Sequence, residues 1–195
     1  MSNRRWSGRT LAARRAAAAS DMMQPRHGLP WWAGGRSTQR WAPEMSREGD
    51  MMRGSFRSIL IPALASRGFR GKRTAFRRLG PDYLDLLSIQ YWKYGGSFVL
   101  EFGRTVRGDF QTSWGPTIPE DELDVSHLPP PRRARLEDRD PLPDDIFHGF
   151  KFEGFGSNPI PYDALARRVA ELVPQVDAWL IRGIAGRNIA PFLAG

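Results

Sequence analysis

The sequence predicts an α+β fold, an antiparallel three- to four-stranded sheet with an N-terminal helix and a C-terminal helix packed on it. Three observations carry this. Phe56, Ile59, Leu60 and Leu64 recur at helical spacing ahead of the strands. Strand-like runs between residues 72 and 106 are separated by Gly80-Pro81-Asp82 and by Gly95-Gly96, connections short enough for a meander. Finally, Leu165, Val169, Leu172, Val173, Val176, Trp179 and Leu180 form one apolar stripe over residues 162–181.

The first helix is expected over 51–66 and is stopped by Gly68, the residue type that most readily takes the left-handed backbone at a helix end. Pro62 interrupts this pattern. It has no N–H for the Ser58 carbonyl and should kink or divide the helix. The first strand is expected over 72–79. The second, over 83–94, places Leu87, Ile89 and Tyr91 on one face and Leu86, Ser88, Gln90 and Trp92 on the other. The third, over 97–106, alternates Phe98, Leu100 and Phe102 with Val99, Glu101 and Gly103.

Residues 107–148 read as irregular, with Pro129-Pro130-Pro131 favouring an extended conformation. A short fourth strand is expected near 149–153. Within the last helix Pro174 should introduce a bend, and the Gly-rich tail, 183–195, should fray.

Domain organisation follows from charge and from Gly and Pro. The chain has 195 residues and a net charge of +8. Residues 1–50 hold nine Arg against four acids (+5), whereas 51–195 hold 20 Lys and Arg against 17 acids (+3). The first fifty residues have no lasting apolar period and are broken by Pro25, Pro30, Gly34, Gly35 and Pro43. They read as a basic, disordered extension, leaving 51–182 as a single α+β domain. Arg9, Arg14 and Arg15 break up the weak apolar stretch that a secretory signal would need.

No cysteine is present, which excludes disulfides, thiolate catalysis and Cys-ligated metal sites. A reducing, cytoplasmic setting fits. No apolar run is long enough for a membrane span, so no membrane is expected.

Ile59-Leu60-Ile61-Pro62-Ala63-Leu64 leading into Gly68-Phe69, then Phe76-Arg77-Arg78, Ile89-Gln90-Tyr91 and Phe98-Val99-Leu100-Glu101-Phe102-Gly103, resemble the bacterial domain-of-unknown-function family numbered 4304. The Arg133–Leu136 stretch looks like that family's basic segment. The resemblance spans residues 51–180, and it makes Pro62 less anomalous because that position resembles the family's own helix. It implies a helix before the sheet and a helix after it. It implies no activity and supplies no catalytic residues. The basic extension has no counterpart in the family pattern.

Catalytic patterns are missing from the sequence. His27, His127 and His148 have no metal-pair spacing. There is no G-x-S-x-G elbow and no phosphate loop, and Gly154-Phe155-Gly156 reads as a plain loop. The acids Glu120, Asp121, Glu122 and Asp124, and those from Asp138 to Asp145, do not match a calcium loop and are expected to solvate a long loop and balance nearby Arg. No catalytic residue, cofactor or metal is expected.

The most suggestive feature is basic: Arg67, Arg70, Lys72, Arg73, Arg77 and Arg78 straddle the helix–strand junction. With Gln90, Tyr91, Trp92 and Tyr94 they make the candidate binding surface. The expected function is a non-enzymatic binding or protein-interaction module whose partner is unidentified. The alternative is nucleic-acid binding through this junction and the extension, where Arg alternates with Trp6, Trp31, Trp32 and Trp41. The order α-β-β-β-α is shared with double-stranded-RNA-binding modules. Here, though, the second helix begins at Pro161-Tyr162-Asp163-Ala164 after a linker of roughly fifty residues, unlike their short link.

Overall fold

A computed structural model of the chain describes residues 42–112, 115–139 and 149–191. The chain enters through α1 (Ala42–Ser55), passes through a π-helical turn (Phe56–Leu60) and continues as α2 (Ile61–Ser66). Strands β1 (Arg70–Lys72), β2 (Ala75–Leu79), β3 (Tyr83–Tyr91) and β4 (Ser97–Val106) follow as a meander. A small hairpin, β5 (Phe110–Gln111) and β6 (Thr117–Ile118), precedes β7 (Arg133–Leu136) and β8 (Phe150–Lys151). Helix α3 (Pro159–Arg182) and strand β9 (Ile189–Pro191) complete the described chain.

The main sheet is antiparallel and seven-stranded, in the order β1-β2-β3-β4-β7-β9, with β8 also pairing with β4. The α+β class holds, but the sheet is larger than the sequence suggested. The expected strand over 72–79 is really a tight hairpin. Lys72 pairs with Ala75, so Arg73 and Thr74 form the whole loop. Gly71 is required there, because a Cβ would lie 2.0 Å from the Ala75 carbonyl oxygen. The expected fourth strand is present as β8, and β7 and β9 extend the sheet on its far side.

Side-chain alternation puts Phe76, Leu87, Ile89, Phe98, Leu100 and Phe102 on the face covered by the helices. From α3 come Tyr162, Leu165, Ala166, Val169, Val173, Val176 and Leu180; from α1 and the π-helical turn come Met52, Phe56 and Leu60. The ring of Phe98 anchors this core, edge-on to Phe56 at 4.7 Å and stacked on Phe150 at 5.4 Å. On the opposite face Leu84 and Leu86 pack beneath Leu123, Val125 and Leu128 in a second, smaller core.

The start of the folded unit differs from the expected Met51. Helix α1 begins at Ala42, and buried Glu48 accepts a 2.8 Å hydrogen bond from Gly156 N–H in the loop before α3. That loop contains Gly154 and Gly156, both at positive φ. Ser55 donates to Asp163 at 2.6 Å, a further tie between α1 and α3. The tail also differs: Asn188 is buried, and β9 pairs with β7 instead of fraying. The disorder expected of residues 1–41 lies outside the described residues.

The π-helical turn lies directly before Pro62. Ile61 N–H donates to the Phe56 carbonyl, five residues back. This widening accommodates the proline, which lacks a donor and whose ring would otherwise press on the Ser58 carbonyl. Pro174 is tolerated differently, within one continuous helix. Asn158 caps that helix by accepting from Ile160 N–H, and Gly183 ends it at φ 69°.

Candidate binding site

The fold divides the basic run that the sequence presents as one patch. Arg67 pairs with Asp177 of α3 at 2.5 Å, and Arg78 reaches the same carboxylate at 2.8 Å. Arg78 also pairs with Asp85 at 2.9 Å and lies over the Phe69 ring at 4.6 Å. Asp85 in turn accepts from Arg104 at 2.6 Å. The result is an internal chain of charges between α3 and the sheet, and its arginines are already engaged.

Arg77 points to the other face and donates to the carbonyls of Glu120, Asp121 and Leu123, tying down the loop over the second core. Arg70 donates to the carbonyls of Ala65 and Phe69. Arg67, Arg70, Arg77 and Arg78 thus each have partners within the chain, and Arg77 and Arg78 lie on opposite faces of the sheet. Lys72 and Arg73 are exposed, and their side chains have no hydrogen-bond or ion-pair partner among the described residues.

The aromatic half of the predicted surface also divides. Tyr91 faces the helices, whereas Gln90 alternates to the opposite face. Trp92 and Tyr94 occupy the β3–β4 turn, exposed and edge-to-face at 6.0 Å, with Lys93 Nζ 4.7 Å from the Tyr94 ring centroid.

What comes together is Arg73 and Tyr91, joined by two arginines that the sequence reading missed. Arg53 and Arg57 project from α1 and the π-helical turn, and with Arg73 they line a cavity of about 510 Å³. Its remaining lining is Phe56, Ile61, Thr74 and Tyr91. The floor is thus mostly apolar and the rim cationic, with no acid among the lining residues. Arg53 pairs with exposed Asp50 at 2.6 Å and stands 6.0 Å from the Tyr91 ring centroid. Arg57 has no ion-pair partner among the described residues. The signal available in the sequence was the four-residue spacing of Arg53 and Arg57, which puts like charges on one helix face at a small cost in stability.

Two locally unfavourable features lie here; buried polar atoms of Arg78, Thr105 and Arg133 elsewhere also lack a hydrogen bond among the described residues. Arg73 has φ 57°, the sole non-glycine residue at positive φ among the described residues. A left-handed backbone costs a side-chain-bearing residue roughly 1–2 kcal/mol. The Tyr91 hydroxyl is buried and has no hydrogen-bond partner among the described residues. Burial pushes its pKa up to about 12 against the opposing charges of Arg53 and Arg57. The phenol therefore stays protonated at neutral pH.

Two other cavities differ in character. One, about 540 Å³ beside β1 and β2, mixes Arg70, Lys72 and Arg77 with Glu122 and Asp124, so it selects neither charge sign. The other, about 520 Å³, lies between the end of β4 and the end of α3. Of the acids expected to balance arginines, Glu120 and Asp138 do so. Glu120 accepts from Arg107, which with the Gly108 N–H holds its carboxyl below the usual range. Asp138 pairs with Arg168 at 2.7 Å. His127 accepts from Asp124 N–H at 3.0 Å, closing a capping box around a short turn. Among the described residues no cluster of His, Asp or Glu is arranged to hold a metal ion. His27, His148 and residues 140–148 lie outside the described residues.

No family model matches the chain, and neither the curated proteins nor the solved structures yield a match. No helix among the described residues is long and apolar enough to cross a membrane.

Proposed function

We propose that this chain is a non-enzymatic binding module for another protein, and that the Arg53–Arg57–Arg73 cavity is its contact site. One observation carries the reading: three arginines meet over an apolar floor where Arg57 and Arg73 have no ion pair among the described residues. Natural chains accept local costs mainly where function repays them. Here a left-handed arginine and an unsatisfied tyrosine hydroxyl are neighbours. Arginine and aromatic side chains are also the types that dominate protein-interface energetics.

Nucleic-acid binding is the second reading, favoured by exposed Trp92 and Tyr94 at the same end of the sheet. It ranks lower because those rings pack on each other and Lys93 lies against Tyr94. The likeness to family 4304 and a cytoplasmic setting belong to the same proposal, the latter supported by the absence of cysteine.

The test is fluorescence anisotropy of the full chain with labelled polyglutamate and with labelled single-stranded oligothymidylate, at low and high salt. The expected result is salt-sensitive binding of polyglutamate that R57E and R73E abolish. Oligothymidylate binding alone, lost in the same variants, would instead establish the second reading. Binding of neither would remove both.

A further inference from the structure

The cavity carries more information than its charge. The apolar part of its lining is Phe56, Ile61 and the Tyr91 ring, and Arg53, Arg57 and Arg73 supply the cations. A ligand that is only anionic would leave the floor unused. A ligand that is only apolar would leave Arg57 and Arg73 unpaired as water is expelled around them. Both demands are met by a group with an apolar body and separated negative charges.

The placement of the arginines narrows the geometry. Arg53 and Arg57 are four residues apart on the helical segment, whereas Arg73 comes from a different element, the loop of the β1–β2 hairpin. Cations supplied by two separate elements, with apolar side chains in the same cavity, suit an extended segment that contacts both helix and hairpin. Guanidinium groups favour carboxylates through paired N–H donors. The Tyr91 phenol, held protonated, adds no negative charge against such a ligand.

We infer that the site takes a peptide segment of a partner protein in which a bulky apolar side chain is flanked on both sides by carboxylates. The apolar side chain rests on Phe56, Ile61 and Tyr91. The carboxylates engage Arg57 on one side and Arg73 on the other. This rests on the protein-binding reading and names the chemistry of its partner.

The experiment uses the full chain and three labelled short peptides: glutamates around a central leucine, the same peptide with serine replacing leucine, and the leucine peptide with glutamines replacing the glutamates. The glutamate–leucine peptide is expected to bind most tightly. Loss of the leucine and loss of the carboxylates should each weaken binding about tenfold or more. R73G should weaken the glutamate–leucine peptide about tenfold without affecting the glutamine peptide, and I61A should erase the preference for leucine over serine. Equal affinity for the leucine and serine peptides would overturn the inference while leaving an acidic-protein site intact. Failure of every glutamate peptide, with polyglutamate also unbound, would overturn the underlying reading as well. Circular dichroism of R73G and I61A establishes that lost binding is not lost folding.

Discussion

Asp177 of α3 accepts a 2.8 Å hydrogen bond from Arg78 of β2 and so fastens the last helix to the sheet through charge as well as packing. Both side chains are largely buried, and Arg78 holds Asp85 at the same time. Removing one partner of a buried pair leaves the other charge poorly solvated. Asp177→Ala should therefore lower stability by about 3 kcal/mol, the lower end for such pairs. Urea unfolding measures it, and a change within error of zero would show that Asp85 alone suffices for Arg78.

Glu101 poses the same question on the opposite face. It is 1% exposed and accepts from Arg133 at 2.8 Å and from Arg135 at 3.2 Å, both across the β4–β7 pairing. Glu101→Gln keeps the shape and removes the charge. A loss of about 3–5 kcal/mol is expected, with β7 amides losing protection against hydrogen exchange. Unchanged protection would mean that backbone pairing alone holds β7.

Arg73→Gly separates stability from binding. Glycine removes about 1–2 kcal/mol of left-handed strain, and its greater freedom in the unfolded chain takes back roughly 0.5–1 kcal/mol. The variant should melt at or slightly above the wild-type temperature. It should also bind polyglutamate more weakly. A marked fall in stability would mean that Arg73 serves the fold.

Tyr91 gives the alkaline limb of stability a definite sign. Between pH 10 and about 12 the unfolded chain has lost the phenolic proton that the folded chain keeps. Its contribution is intact below pH 10 and falls as pH rises to about 12. Tyr91→Phe should flatten part of that fall; the remainder includes Tyr162, whose pKa burial also raises. At neutral pH the variant should gain about 1 kcal/mol, because an unsatisfied buried hydroxyl is removed. Phenolate absorbance and urea unfolding across this pH range provide both readings.

Gly103 permits a close crossing. A Cβ there would stand 2.5 Å from the Arg132 carbonyl oxygen and 2.7 Å from a Leu128 methyl. Gly103→Ala should cost about 1–3 kcal/mol, the usual range for overpacking. A neutral result would show that the 129–132 turn can move away.

The sequence was most legible where one face of an element alternates cleanly with the other. Phe98, Leu100 and Phe102 revealed β4, and the stripe from Leu165 to Leu180 revealed α3. It was least legible where an element borrows its burial from distant chain. The side chains of α1 described as buried are those of Glu48, Met52 and Ser55, and the helix carries Gly49 and Gly54, so its apolar period is faint. Its signal was Pro43 in the first turn. Strand β7 alternates Arg133 and Arg135 with Ala134 and Leu136, but the triple proline and the charges around it masked that period. The candidate site was half legible. Arg73 and Tyr91 were singled out, whereas Arg53 and Arg57 were missed because pairing α1 with the β1–β2 loop is a tertiary fact. Arg67, Arg70, Arg77 and Arg78 looked like a patch because sequence does not reveal which carboxylate or carbonyl each will meet.

The late arrival of α3 has a consequence during synthesis. Phe98, Leu100 and Phe102 are made well before Val169, Val173 and Val176, the side chains that cover them. At ribosomal speeds of roughly 5–20 residues per second, the interval lasts on the order of several seconds. Throughout it the nascent meander displays a greasy sheet face covered only by Met52, Phe56 and Leu60, a surface suited to a holding chaperone.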